Sequence, residues 1–343
     1  MRVPVAVCTT LAILVACQPV DKKRVSEVLD TLAAVIDTGA LAPPPPPPPP
    51  SPLPASSAAH TPASSGGGAT KVASATGFLS PESVLFDSTQ DVYFVSSING
   101  EPLGKDNNGF ISRLRPDGAI EVLKFIEGGR GGVTLNAPKG LAMRGDTLWV
   151  ADIDVARAFN VRTGVSVDSV KFDSLRAVFL NDVAIAPNGA IYITDTGIRF
   201  DDVGNVLHPG PDRVFRVGPD RKVTVAVRGD SLGRPNGIAL DVVGRRFIIV
   251  QAGGKAVLAW KPGDKTPRVI ARGVGGFDGV EMIGDKIVVS SWTDSSITRF
   301  DSTQGTKIIT GVPTPADIGY DAKRNRVLIP ILTGNRVEVW QLP

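Results

Sequence analysis

The sequence predicts an all-β fold: a six-bladed β-propeller closed by pairing of an N-terminal strand with the last blade. Three observations carry this. A short segment returns six times, as Pro81-Glu82-Ser83-Val84-Leu85-Phe86, Pro138-Lys139-Gly140-Leu141-Ala142-Met143, Leu180-Asn181-Asp182-Val183-Ala184-Ile185, Pro235-Asn236-Gly237-Ile238-Ala239-Leu240, Phe277-Asp278-Gly279-Val280-Glu281-Met282 and Pro315-Ala316-Asp317-Ile318-Gly319-Tyr320. The copies are 38 to 57 residues apart, the range of propeller blades. The sixth copy ends at Pro343 one strand short, while Lys71 to Phe78 stands unassigned before the first. That segment can fill the gap and remove the open edges a sheet must protect.

Taken in order, residues 1–16 read as a secretory leader, with Arg2 ahead of the apolar run Val3 to Ala16. The run is shorter than the roughly 20 residues a spanning helix needs. It ends in Leu14-Val15-Ala16-Cys17, which resembles the bacterial lipobox. The alternative is a plain signal peptide with a chance cysteine. The resemblance implies lipidation of Cys17, membrane contact through that lipid only, and an extracytoplasmic lipoprotein of the bacterial cell envelope. Gln18, not Asp, follows, which implies the outer membrane where the organism has two membranes.

Residues 17–42 carry Val25, Val28, Leu29, Leu32, Val35 and Ile36 at helical spacing, and predict a short amphipathic helix. Residues 43–70 are a linker. Pro43 to Pro50 form a stiff spacer of about 25 Å at roughly 3.1 Å per residue, followed by a Ser/Ala/Gly stretch.

Residues 71–343 are the propeller. In each repeat a second apolar strand follows the recurring segment, for example Val92 to Val95 and Ile191 to Ile193. A third comes next, such as Val214 to Val217. Turn residues such as Pro116-Asp117-Gly118 intervene, and five repeats show a fourth strand.

Composition excludes several functions. Lys and Arg total 37 against 34 Asp and Glu, and the one basic block is Lys22-Lys23-Arg24, so no nucleic acid is expected. Both cysteines, Cys8 and Cys17, precede the propeller, which leaves it without a disulfide or thiol chemistry. The propeller holds one histidine, His208, so a multi-histidine zinc site is impossible.

The second column of the repeat reads Glu82, Lys139, Asn181, Asn236, Asp278 and Ala316. Arranged about one axis, Glu82, Asn181, Asn236 and Asp278 converge as two carboxylates and two carboxamides. All-oxygen donors with balanced charge suit a hard divalent cation, Ca²⁺ first, Mg²⁺ or Mn²⁺ otherwise. By strand alternation each column residue shares a face with the apolar residues two and four further on, such as Val84 and Phe86. The intervening positions are mostly small, Gly140, Gly237, Gly279, Gly319 and three alanines, as the narrow end of a wedge requires.

With these motifs, residues 71–343 resemble the gluconolactonase/senescence marker protein (regucalcin) family of six-bladed propellers. The resemblance implies that Glu82 in Pro-Glu-Ser-Val, Asn181 in Leu-Asn-Asp-Val, Asn236 in Pro-Asn-Gly-Ile and Asp278 in Phe-Asp-Gly-Val hold a catalytic metal. It further implies hydrolysis of a lactone or ester, with Asp278 as general base. Two departures stand out: Glu82-Ser83-Val84 replaces the family's Glu-Gly-Pro, and Lys139 occupies the second blade's column position. Lys139 either sits aside and hydrogen-bonds the substrate or its oxyanion, or pairs with Glu82 or Asp278 and displaces the metal.

Secondary candidates lie nearby. Two long loops, 98–109 with Asn99 and 196–213 with His208, occupy the same interval of their blades and read equally as site-shaping or as plain surface. Asn99 and Asp317 are candidate substrate ligands beside Lys139. Asp182 and Asp317 read equally as strand-end hydrogen-bonding residues, Trp292 as packing or mouth lining, and Glu281 as needing a partner if buried. The expectation is a monomeric, metal-dependent hydrolase of a small lactone or ester. The alternative is a non-catalytic envelope propeller that grips a sugar, peptide or protein.

Overall fold

A computed structural model describes residues 68–343. The leader, Cys17, the predicted helix and the proline spacer lie outside the described residues. Among the described residues, no helix is long and apolar enough to cross a membrane.

Six four-stranded antiparallel sheets form, five of them in sequence order from the axis outward. The innermost strands are Pro81–Asp87, Pro138–Arg144, Leu180–Ile185, Pro235–Asp241, Phe277–Ile283 and Gly319–Asp321. Blade three carries an extra hairpin, Arg199–Phe200 with Val206–Leu207, in its long loop. The sixth blade takes its outer strand from Thr70–Thr76, which pairs antiparallel with Arg336–Gln341 from Thr70 opposite Gln341 to Thr76 opposite Arg336. The predicted closure is therefore the observed one.

Strand alternation builds the core. Ile191 and Ile193 join the apolar cluster between blades two and three, while Tyr192, between them in sequence, packs with Phe247 and Trp260 between blades three and four. The same division recurs around the ring, so each blade is glued to both neighbours. Val84, Leu141, Val183, Ile238, Val280 and Ile318 are the innermost members of these clusters.

The simple alternation expected for the column does not hold. In five inner strands the register slips at that position, between Pro81 and Ser83, Pro138 and Leu141, Leu180 and Val183, Pro235 and Ile238, and Phe277 and Val280. Such a bulge re-aims a side chain. Here the slip falls at the column residue in all five.

The small residues beyond the column are required by contact between blades. A Cβ on Gly140 would lie 2.5 Å from Asp182 Cα, one on Gly237 2.6 Å from Asp278 O, and one on Gly279 2.4 Å from Ile318 N. Side chains link the blades there too: Ile238 N donates to Asp182 Oδ2 (2.7 Å), Thr194 Oγ1 to Asn236 O (2.7 Å) and Ser290 Oγ to Ala316 O (2.8 Å).

Candidate metal and substrate site

The column residues sit at the upper mouth of the axial channel, where each inner strand begins. Glu82, Lys139, Asn181, Asn236, Asp278 and Ala316 are all buried. The charges that act on Glu82 come from Asp278, Asp317, Lys139 and Asp182, which belong to blades five, six, two and three. Glu82 thus feels charges from four other blades.

Two oxygens in this ring are buried without a hydrogen-bond partner, Glu82 Oε2 and Asp278 Oδ1. Burial, and then the Asp278 and Asp317 carboxylates, push the Glu82 carboxyl well above its ordinary value. Burial and Asp317 do the same to Asp278, against the opposing effect of donors from the Trp292 indole and the Asn236 amide. Leaving an acceptor buried and unpaired costs roughly 1–3 kcal/mol. The two carboxamides spend N–H groups on protein: Asn181 Nδ2 donates to Thr196 Oγ1 (3.0 Å) and Asn236 Nδ2 to Phe277 O (3.5 Å). Each amide keeps its carbonyl oxygen for a ligand.

These residues fit a divalent cation. Two orphaned carboxylate oxygens that repel one another are stabilised by a positive ion, and two carboxamide oxygens complete an oxygen donor set. Among the described residues no three His, Cys, Asp or Glu side chains gather as a metal-binding group. A cation at this mouth therefore depends on Asn181 and Asn236.

Lys139 sits aside from the two column carboxylates. It is 1% exposed and forms no ion pair with Glu82 or Asp278. Its Nζ donates to Pro102 O (2.9 Å) and Ala137 O (3.1 Å) and lies 4.4 Å from the Phe179 ring centroid. Burial lowers its pKa to about 8, against the stabilising charges of Glu82 and Asp152. Two of its three N–H groups are thus committed to the protein. It pins the first blade's long loop down over the ring, and Phe179 in turn meets Phe200 of the third blade's hairpin edge-on at 6.4 Å. Both long loops are therefore linked to Lys139, one through Pro102 and the other through Phe179 and Phe200.

The other predicted substrate ligands are placed differently. Asn99 Nδ2 donates to Asn108 O (2.8 Å) and closes its own loop. Asp317 accepts from Ser83 Oγ (2.5 Å), and its backbone N–H donates to Glu82 O (2.8 Å), so it ties blade six to blade one. Asp317 lines the lower part of the channel, not the upper mouth. His208 pairs with Asp212 within its loop at 2.6 Å.

Sequence reading missed the residues that fix the approach to the column. Asp152 accepts from Ala137 N (2.8 Å) and Arg157 Nε (2.5 Å); Asp195 accepts from Phe179 N (2.8 Å) and Arg213 Nε (3.1 Å). Each aspartate ends the second strand of its blade and holds the segment entering the first. The signal was present: an acid at the same strand end in two repeats, with an arginine on the next strand of each.

Below the ring the channel opens into a cavity of about 280 Å³ lined by Leu85, Ala142, Ala239 and three carboxyls, Asp182, Glu281 and Asp317. Glu281 does have neighbours, but they are acids. Burial and then Asp317 raise its pKa to about 8, with the Met282 N–H opposing. The folded protein therefore keeps a proton that the unfolded chain releases near pH 4.5. Stability falls as pH rises from about 4.5 to about 8 and levels off above. Glu281→Gln is expected to flatten this slope and to stabilise the protein at pH 8 by on the order of 3 kcal/mol. Urea unfolding of both proteins at pH 5 and pH 8 checks it; an unchanged pH dependence refutes it.

Comparison with known proteins adds to this geometry. Residues 81–319, more than half of the chain, match the family model described as SMP-30/Gluconolactonase/LRE-like region. No curated protein sequence matches the chain. Among solved structures, one described as a putative gluconolactonase is similar with a TM-score of 0.60 at 15% identity, over 80% of this chain and 91% of that one. A gluconolactonase from Xanthomonas campestris gives 0.58 at 19% identity, over 80% and 89%. A virginiamycin B lyase from Staphylococcus aureus gives 0.54 at 12%, over 79% and 99%. At these identities the structural matches speak for the fold alone.

Proposed function

The chain belongs to the SMP-30/gluconolactonase/LRE-like family, and from that premise we propose that it hydrolyses a lactone or related ester at the upper mouth, with a divalent cation, Ca²⁺ first, held by Glu82, Asn181, Asn236 and Asp278. The observation that carries the reading is the pair of buried, unpartnered carboxylate oxygens, Glu82 Oε2 and Asp278 Oδ1, in one ring. A cation bound there supplies polarisation of an ester carbonyl and acidification of a water.

The chain's own residues do the rest. Asp278 is the general base: its Oδ1 is buried and free of hydrogen bonds. With both carboxylates balanced by a dication, the Lys139 charge is left over. It favours negative charge developing on the substrate oxygen. The loop it pins through Pro102 keeps water from the ring.

The test is elemental analysis of purified protein together with lactone hydrolysis followed by acid release. The expected result is one equivalent of divalent metal, with activity lost on chelation and restored by Ca²⁺, Mg²⁺ or Mn²⁺. Protein that binds no cation and hydrolyses no lactone refutes the proposal and leaves a propeller that only grips its ligand.

A further inference from the structure

Each inner strand runs away from the column, so its turn into the second strand lies on the underside of the propeller. Blade one turns there through Ser88 to Asp91, blade two through Gly145-Asp146, blade three through Pro187-Asn188-Gly189, blade five through Gly284-Asp285 and blade six through Ala322 to Asn325. Blade four alone sets two large apolar residues side by side, in Val242-Val243-Gly244-Arg245. Val242 is 67% exposed and Val243 86%. The turn is fixed from within: buried Asp241 accepts from Gly244 N (2.7 Å) and Arg246 Nε (2.8 Å). The valines are thus held out in water on a braced tip.

Unpaired cations surround the tip. The second underside turn of blade four, between Ala256–Trp260 and Arg268–Arg272, carries Lys261 and Lys265, and Arg268 opens the outer strand. Trp260 Nε1 braces this turn by donating to Asp264 O (3.0 Å). The two turns are neighbours, because Phe247 pairs with Leu240 on one side and with Trp260 on the other. Arg245, Lys261, Lys265 and Arg268 are exposed and form no ion pair among the described residues; the pair at this corner is Arg246 with Asp241. Asp264 is the acid among them, and its carboxylate accepts from Lys261 N (3.4 Å). Elsewhere on this face cations are matched: Lys323 and Arg324 of blade six with Asp91 of blade one (2.8 and 2.6 Å), Arg162 with Asp146 (3.1 Å) and Lys286 with Asp285 (3.2 Å).

We propose that this underside corner of blade four docks on an anionic lipid surface. Val242 and Val243 sink below the headgroups, and Arg245, Lys261, Lys265 and Arg268 meet the phosphates. Buried apolar area and attraction to anionic headgroups are the two forces that hold a protein at such a surface. Two adjacent side chains are too few for a protein interface, which covers about 800 Å² on each partner. A fluid lipid layer needs no matching pocket to receive a projecting tip. The inference stands apart from the upper mouth and from any reaction there.

The test places one dye-labelled cysteine in the full chain carrying Cys8→Ser and Cys17→Ser. The positions are Val243→Cys, Asn188→Cys and Asp285→Cys, each labelled with nitrobenzoxadiazole and titrated with vesicles of equal parts phosphatidylcholine and phosphatidylglycerol. The label at 243 is expected to shift to the blue and to be quenched by lipid spin-labelled high on its acyl chain. The labels at 188 and 285, on the neighbouring turns of the same face, do neither. Adding Val242→Asp to the Val243→Cys protein raises the lipid needed for half the shift about tenfold. Adding Lys261→Gln with Lys265→Gln raises it about thirtyfold. All of these positions are exposed, and tryptophan emission reports that each variant is folded.

No shift at 243, equal shifts at all three positions, a shift as large on phosphatidylcholine alone, or one that Val242→Asp leaves unchanged overturns the proposal. So does a shift that needs no lipid and grows with protein concentration, which makes a second copy of the chain the occupant.

Discussion

Asp278→Ala is expected to lower kcat/KM for a lactone by about a thousandfold and to abolish stabilisation by cations, while the cation-free fold persists. The separation follows from the chemistry of the ring. Without a cation, Asp278 is a buried carboxyl pushed towards its protonated form by burial and by Asp317, so its removal costs the empty fold little. With a cation it supplies one of two compensating charges and the base. In the parent protein, cation at a hundred times its dissociation constant adds about 2.7 kcal/mol of stability. For a domain of this size that is a rise of roughly 5–10 °C in Tm. The variant is expected to show none. Thermal unfolding with and without added Ca²⁺, beside the activity assay, checks both parts. A cation-dependent Tm that survives in Asp278→Ala removes this residue from the ligand set.

Gly319→Ala is expected to be the most damaging single methyl addition in the ring. A Cβ at this position would meet Val84 O at 2.2 Å, a backbone atom of the neighbouring blade with nowhere to move. Gly319 follows the point where blade six locks onto blade one through Asp317 N to Glu82 O and Ser83 Oγ to Asp317 Oδ2. Relieving the clash means parting those inner strands and loosening the carboxylate of Glu82 with them. Overpacking of this kind costs about 3 kcal/mol, a fall of roughly 6–12 °C in Tm. Denaturant unfolding and calorimetry measure it; a loss under about 1 kcal/mol shows that the closure yields more readily than the contact implies.

The architecture was legible in the sequence because its cause is local and repeated. Six copies of one segment, alternating strands and a missing last strand leave little choice of fold. The column was legible for the same reason: Glu82, Asn181, Asn236 and Asp278 occupy one register position, and no packing requirement explains polar side chains there. What stayed hidden depends on partners far away in the chain. Lys139 reads as a charge in the ring, yet it is held by Pro102 O, 37 residues away, and by the Phe179 face. Trp292 reads as packing, yet it is 40% exposed and its backbone N–H bonds Gly276 O, just ahead of Asp278. The bulges were hidden for a different reason. A period-two pattern counts residues and cannot show where two stand opposite one.

The closure strand has one more consequence. Thr76 lies beside Arg336, next to the corner on the column's face, while Thr70 lies at the far end, beside Gln341. The polypeptide upstream of the propeller therefore joins it on the underside. Entry of the first described strand and the opening ringed by the column thus lie on opposite faces of the propeller, so that strand leaves the opening clear.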